Sequence, residues 1–191
     1  MPILSHFDMF APFYEMAIRP PDPAELIRRL GLPAAGALLD AGGGTGRTAQ
    51  LLRGKAGPIV VADLSHGMLA QVRKKEGLHA VHCRSERLPF PDDCFARILM
   101  ADTFHHVDNQ RAVAEELYRV LRSGGRLVIE EPDIRTLPVK LIAAGERLAF
   151  MHSRFLPPDR IADLFRSSTD CVSVESRYNI AWVAVEKRRT D

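Results

Sequence analysis

The stretch "LLDAGGGTGR", residues 38–47, decides how the rest of the chain is read. A short apolar run ends in an acid, Asp40, and Gly42, Gly44 and Gly46 follow at alternate positions. Glycine lacks a Cβ, so such a loop turns sharply and lets a ligand approach its backbone. The stretch therefore reads as the tip of a strand that opens into a ligand-cradling loop.

Working outward, apolar runs of strand length recur as "GALLDA" (36–41), "PIVVAD" (58–63), "HAVHCR" (79–84), "ARILMA" (96–101) and "RLVIEE" (126–131). Between them lie "RTAQLLR", "HGMLAQVRKK" and "NQRAVAEELYRVLR", the last with Val113, Leu117, Val120 and Leu121 on one helical face. Strands alternating with helices imply a parallel sheet covered on both faces. The third helix is expected to run to Arg122 and to be closed by Gly124 in the left-handed conformation. Beyond residue 132, "VKLIAAGERLAFMH" reads as an inserted helix and "LPPDRIADLFRS" as a last helix opened by Pro158, with Ile161, Leu164 and Phe165 inward. "CVSVESRYNIAWVAVEKR" holds two alternating runs split near Arg177 to Asn179, a hairpin signal. The expected fold is α/β, a Rossmann-like three-layer sandwich whose mostly parallel, seven-stranded sheet ends in an antiparallel hairpin.

In an open parallel sheet, ligands bind beyond the carboxyl ends of the strands. Asp40, Asp63, the step at Arg84, Ser85 and Glu86, Asp102, and Glu130 with Glu131 all fall at such ends. Asp63, closing the second strand, sits where a carboxylate accepts both hydroxyls of a ribose, which points to an adenosine without saying which cofactor carries it. Spacing discriminates further. A dinucleotide fingerprint begun at Gly42 meets Arg47 at its last position, and begun at Gly44 it ends late, at Ala49. The pattern D-x-G-x-G-x-G is met in full by Asp40, Gly42, Gly44 and Gly46. An acid is awkward beside a pyrophosphate and useful beside a cationic amino group, so the loop leans toward S-adenosylmethionine.

Bulk properties narrow the partners. The 191 residues suit one domain with a substantial core. Its expected parts are an N-terminal lid or helical segment (1–35), a cofactor-binding core (36–132), and a remainder (133–191) of inserted helix, final helix and hairpin. With 26 basic and 24 acidic residues the net charge is +2, too small for a broad field that captures nucleic acid, and the tail "EKRR" reads as a solvated chain end. Cys83, Cys94 and Cys171 are widely spaced and form no C-x-x-C pair, which argues against a disulfide framework or a structural zinc site, and no metal is expected. No apolar run approaches the ~20 residues that span a bilayer, and the start "MPILSHFDMFAPFYEM" lacks a signal-peptide pattern. A cytoplasmic protein is expected. A homodimer through a sheet edge or the inserted helix is compatible, although no motif selects it.

Together, "LLDAGGGTGR" (38–47), "VVADLSHGML" (60–69), "RSERLPFPDDCFARI" (84–98), "FHHVDN" (104–109) and "ELYRVLRSGGRLVIEEP" (116–132) resemble the class I S-adenosylmethionine-dependent methyltransferases, in particular the small branch with ubiquinone/menaquinone-biosynthesis methyltransferases. The resemblance covers residues 36 to 132. It implies that Asp40 and the Gly42–Gly46 loop hold the methionine part of S-adenosylmethionine, that Asp63 holds the ribose, and that Leu64 and Met68 lie against the adenine. Ser85 and Glu86 would line the adenine edge, Asp102 and Thr103 would border the methyl-transfer region, and S-adenosylhomocysteine would be the product. Two positions depart from the pattern: Arg84 and Ala96 stand where the family often has Asp.

Methyl transfer from a sulfonium is an in-line displacement, so alignment and exclusion of water dominate and a protein base is optional. His105 and His106 follow the fourth strand, where the family places its acceptor, and are the candidate bases. The resemblance also implies an N-terminal lid, and within it Tyr14 or Phe13 is the residue whose aromatic face suits the sulfonium. Phe7, Phe10, Phe13, Leu141, Leu148 and Phe150 suggest a small apolar or aromatic acceptor, and serve equally well as core. Two alternatives stay open: a non-catalytic S-adenosylmethionine-binding protein, and a nicotinamide-dependent oxidoreductase, which lacks an evident Tyr–Lys pair.

Overall fold

The structure is a computed structural model that describes residues 22–148, 153–168 and 171–189. Its first described helix, α1 (Pro23–Leu30), opens with Asp22 accepting from the Ala24 N–H and closes on Gly31 in the left-handed conformation. Strands β1 (Leu38–Ala41), β2 (Ile59–Asp63), β3 (Leu78–His82), β4 (Phe95–Ala101), β5 (Leu121–Pro132), β6 (Val172–Arg177) and β7 (Ile180–Glu186) form one sheet. Their order is β3-β2-β1-β4-β5-β7-β6, with β1 to β5 parallel and the β6–β7 hairpin antiparallel to its neighbours. The expected sandwich is therefore present.

Alternation along each strand sends side chains to two cores. Leu39, Ile98, Met100, Leu127 and Ile129 face one layer of helices, α4 (Gln110–Val120) and α6 (Pro158–Arg166). Leu38, Leu99 and Val128 face the other, made of α1, α2 (Arg47–Leu51) and α3 (His66–Val72). Ile161 and Phe165 are buried as expected, and Leu164 is half-buried. Helix α5 (Leu137–Leu148) is the inserted helix, anchored by the buried Val139 while Leu141 and Leu148 stay exposed.

One boundary differs from the sequence reading. α4 stops at Val120, and Leu121 is already extended and paired with Phe95, so its burial belongs to the sheet rather than to a helical face. Gly124 does adopt a left-handed conformation, φ 70°, but not as a helix cap: its N–H donates to the Lys187 carbonyl at 2.9 Å. Pairing with the chain beyond β7 requires the turn there.

Candidate active site

The strand order reverses between β1 and β4, so the carboxyl ends of these two strands bound the crevice where a doubly wound sheet takes its ligand. The loop after β1 crosses to the chain after β4 at one tight point. Thr103 Oγ1 donates to the Gly42 carbonyl at 3.0 Å and to the Ala101 carbonyl at 2.9 Å. Gly42 has φ 66°, and a Cβ there would lie 2.2 Å from Thr103 Cγ2, so close approach and backbone conformation both demand glycine. At Gly44, φ 55°, the only atom of the described residues within 4 Å of such a Cβ is Met68 Sδ, at 3.8 Å. Gly46, φ 73°, leads directly into α2, against Leu78 and Val72.

Asp40 is 1% exposed, and its Oδ2 has no hydrogen-bond partner among the described residues. Burial first, and the Asp63 charge second, push its pKa up to about 7, against a backbone hydrogen bond from Ala49. A buried carboxylate with an orphaned oxygen beside an open glycine loop suits a cationic partner, such as the amino group of a bound methionine moiety. Asp63 accepts from Gly44 N at 2.9 Å through Oδ2 and from Ser65 N at 2.8 Å through Oδ1. A carboxylate has about four acceptor positions, so both roles, holding the loop and receiving ribose hydroxyls, are chemically compatible. Ser65 Oγ caps α3 by accepting from Met68 N, which sets buried Met68 and half-buried Leu64 next to the loop. The residues present therefore fit S-adenosylmethionine.

The step after β3 has a different character from the one expected. Glu86 accepts from the backbone N–H of Asp108 at 3.1 Å and of Asn109 at 3.4 Å, bracing the loop that leads to α4. Arg84 joins the same cluster through Asp108 and, at 3.5 Å, Glu86. Arg84 is thus spent on an ion-pair cluster half open to solvent. Ser85 is half-buried between them.

Beyond β4, Asp102 has φ 52° and its N–H donates to the Glu130 carbonyl. A single turn of 3-10 helix, Phe104–His106, follows. Glu131, at the end of β5 and 5% exposed, organises this turn. Its Oε1 accepts from Thr103 N and Phe104 N at 2.9 and 2.8 Å, and its Oε2 meets His105 Nδ1 at 2.6 Å. Burial opposes charge on His105, but the hydrogen bond and charge of Glu131 outweigh it and the pKa is raised. His106 is the opposite case: burial, then the neighbouring His105, depress it to about 4. Its Nδ1 lies 3.1 Å from Ser153 Oγ. Sequence reasoning placed Glu131 at a strand end without giving it a role; only folding gathers its three donors. Tyr14, Phe7, Phe10, Phe13 and Phe150 lie outside the described residues.

Residues 39–129 match the family model described as a methyltransferase domain. The chain is 36% identical over 118 residues to a demethylmenaquinone methyltransferase of Clavibacter sepedonicus, covering 59% of this chain and 47% of that protein. It is 38% identical over 104 residues to the ubiquinone/menaquinone biosynthesis C-methyltransferase UbiE of Stenotrophomonas maltophilia, covering 49% and 41%. The chain thus spans less than half the length of these curated relatives. In fold it is similar to a methyltransferase structure from Thermotoga maritima, TM-score 0.76 at 22% identity over 97% of this chain and all of the other. The [4+2]-cyclase SpnF is similar too, TM-score 0.81 at 17% identity over 98% and 96%. Residues 39–129, which carry the glycine loop and the strand ends, thus match a methyltransferase domain, and the whole chain is similar in fold to S-adenosylmethionine-dependent methyltransferases.

Proposed function

We propose that this protein transfers a methyl group from S-adenosylmethionine to a small apolar or aromatic acceptor. The observation that carries the reading is Asp40: a buried carboxylate oxygen without a hydrogen-bond partner among the described residues, at the root of a glycine loop, is costly unless a cation completes it. When bound, S-adenosylmethionine supplies an electrophilic methyl group on a sulfonium. Asp40 would pair with the amino group, Asp63 would accept from the ribose hydroxyls, and Leu64 and Met68 would pack on the adenine, with Ser85 and Glu86 at its edge. Asp102 and Thr103 would border the reacting methyl. Alignment of an acceptor in line with the methyl group is worth up to roughly 7–11 kcal/mol in intramolecular comparisons, so positioning is the main contribution asked of the protein. His105, held by Glu131 within electrostatic reach of Asp102, and His106, beside Ser153, are assigned the activation of the acceptor.

The quinone-biosynthesis names of the relatives agree with an apolar, aromatic acceptor. A cytoplasmic setting is part of the same reading, supported by three cysteines outside any disulfide. Among the described residues no helix is long and apolar enough to cross a membrane.

A second reading has one observation in its favour: a protein named as a [4+2]-cyclase shares this fold, so the scaffold can be put to a use other than methyl transfer. Calorimetric titration with S-adenosylmethionine, S-adenosylhomocysteine and NAD, followed by turnover with hydroquinones and phenols, separates the cases. Binding of the sulfur ligands with turnover supports methyl transfer. Binding without turnover on any acceptor favours the second reading, and tight NAD binding overturns both.

A further inference from the structure

His105, His106 and Glu146 come together although they arrive from two separate elements, the turn after β4 and the inserted helix α5. One donor atom from each lies within 4.8 Å of the others. His105 is buried and the other two are half-buried. Glu146 Oε2 is buried and has no hydrogen-bond partner among the described residues. We propose that this trio binds a divalent transition-metal ion, such as zinc or iron(II), in a two-histidine, one-carboxylate site facing the acceptor.

The surroundings of the donors support this assignment. A ligating histidine commonly gives its other ring nitrogen to a carboxylate, which fixes the ring and raises its basicity. His105 Nδ1 does so to Glu131 at 2.6 Å, leaving Nε2 as the coordinating atom, and the ring is stacked on Phe155 at 4.2 Å between centroids. His106 Nδ1 lies 3.1 Å from Ser153 Oγ, so Nε2 would be its ligand atom. Metal–ligand bonds of about 2.0–2.2 Å put tetrahedral donors roughly 3.4 Å apart. Closing from 4.8 Å requires at most about 1.4 Å of movement, within the rotamer range of a glutamate side chain. Two imidazoles and one carboxylate leave at least one position open, the pattern of catalytic rather than structural sites. The lack of paired cysteines has no bearing on a site whose donors are imidazole and carboxylate.

The inference rests on the proposed methyl transfer for its purpose and stands without it for its existence. Asp102 is within electrostatic reach of His105 and Glu146, so the ion would lie beside the acceptor space. A hydroxyl or phenol bound to the open position would lose its proton to solvent more readily and then attack the methyl carbon, with the carbon–sulfur bond breaking as the carbon–oxygen bond forms. Both imidazoles would then serve as ligands, and no separate base is needed.

The test uses the full chain stripped with EDTA. It is titrated with Zn2+ against a chromophoric chelator and with Co2+ by visible absorbance, while calorimetry follows S-adenosylhomocysteine in parallel. Saturation at one ion per chain, a Co2+ d–d band, and weakening by about tenfold or more in both Glu146→Gln and His106→Ala, each still binding S-adenosylhomocysteine, support the site. Absence of saturable binding, or affinity that Glu146→Gln leaves unchanged, overturns it. If the ion binds and S-adenosylhomocysteine does not, the methyl-transfer reading fails while the metal site survives; the converse removes only the metal site.

Discussion

The Asp63 carboxylate accepts the Gly44 N–H at 2.9 Å, so the acid that ends the second strand also fixes the loop that follows the first. Asp63→Ala therefore removes a ribose acceptor and loosens the glycine loop together. Charge-assisted hydrogen bonds are worth about 1.5–3 kcal/mol, and the expected loss in S-adenosylhomocysteine affinity is roughly 10- to 100-fold by calorimetry. An unchanged affinity would remove Asp63 from the site.

Asp40 carries a prediction with a definite sign. Its folded pKa of about 7 is raised above the ordinary 3.8, so in the ligand-free protein its favourable contribution holds below pH 3.8 and is lost as pH rises to about 7. Above that, the cost is on the order of a few kcal/mol. Asp40→Asn is expected to raise the melting temperature at pH 8 and to weaken S-adenosylhomocysteine binding. In the native protein, affinity should fall as pH drops below about 7, because the proton on Asp40 must leave before an ammonium group is paired. A pH-independent affinity between roughly 6 and 8, the window around that pKa, would contradict this account.

Two glycines separate fold from ligand. Gly42→Ala places a methyl group 2.2 Å from Thr103 Cγ2 at φ 66°, and the strain and overpacking together should cost about 2–4 kcal/mol, visible as a melting point several degrees lower. Gly44→Ala, with only Met68 Sδ near among the described residues, should cost about 1–2 kcal/mol from backbone strain and lose cofactor binding out of proportion to that. Equal effects of the two on stability would be inconsistent with the loop geometry.

Arg29 predicts a structural effect away from the site. It is 7% exposed, lies over the Trp182 ring at 3.8 Å, and reaches Glu25 at 2.7 Å and Glu175 at 3.0 Å. Arg29→Ala should destabilise by about 2 kcal/mol, since the packing and the cation–π contact go together. Trp182 is the only tryptophan of the chain, so its emission reports the change directly. An identical unfolding curve and spectrum would show that α1 is held by Leu26 and Leu30 alone.

The local parts of this structure were legible because they are written in short-range pattern. Apolar runs ending in acids located the strand tips, and the spacing from Asp40 to Gly46 located the loop. What depends on residues far apart in sequence was not. The end of α4 was misread by two residues because Leu121 is claimed by Phe95 across the sheet, a preference no helical periodicity reveals. Glu131 looked like one acid among several until the turn after β4 folded over it. Glu146, on a helix whose neighbours Leu141 and Leu148 gave the expected apolar signal, carries its interest through a docking that only the tertiary structure defines.

The position of β7 has a consequence for how the molecule is made. It lies between β5 and β6, pairing with Arg126 to Pro132 on one side and with Val172 to Arg177 on the other. During synthesis, β5 must wait with an open, hydrogen-bonding edge until residue 186 has left the ribosome, and only then can that edge be sealed. A nascent chain shorter than that exposes a ready template for pairing with another polypeptide, which makes the interval before the last strand arrives the stretch of this protein's life most in need of a chaperone.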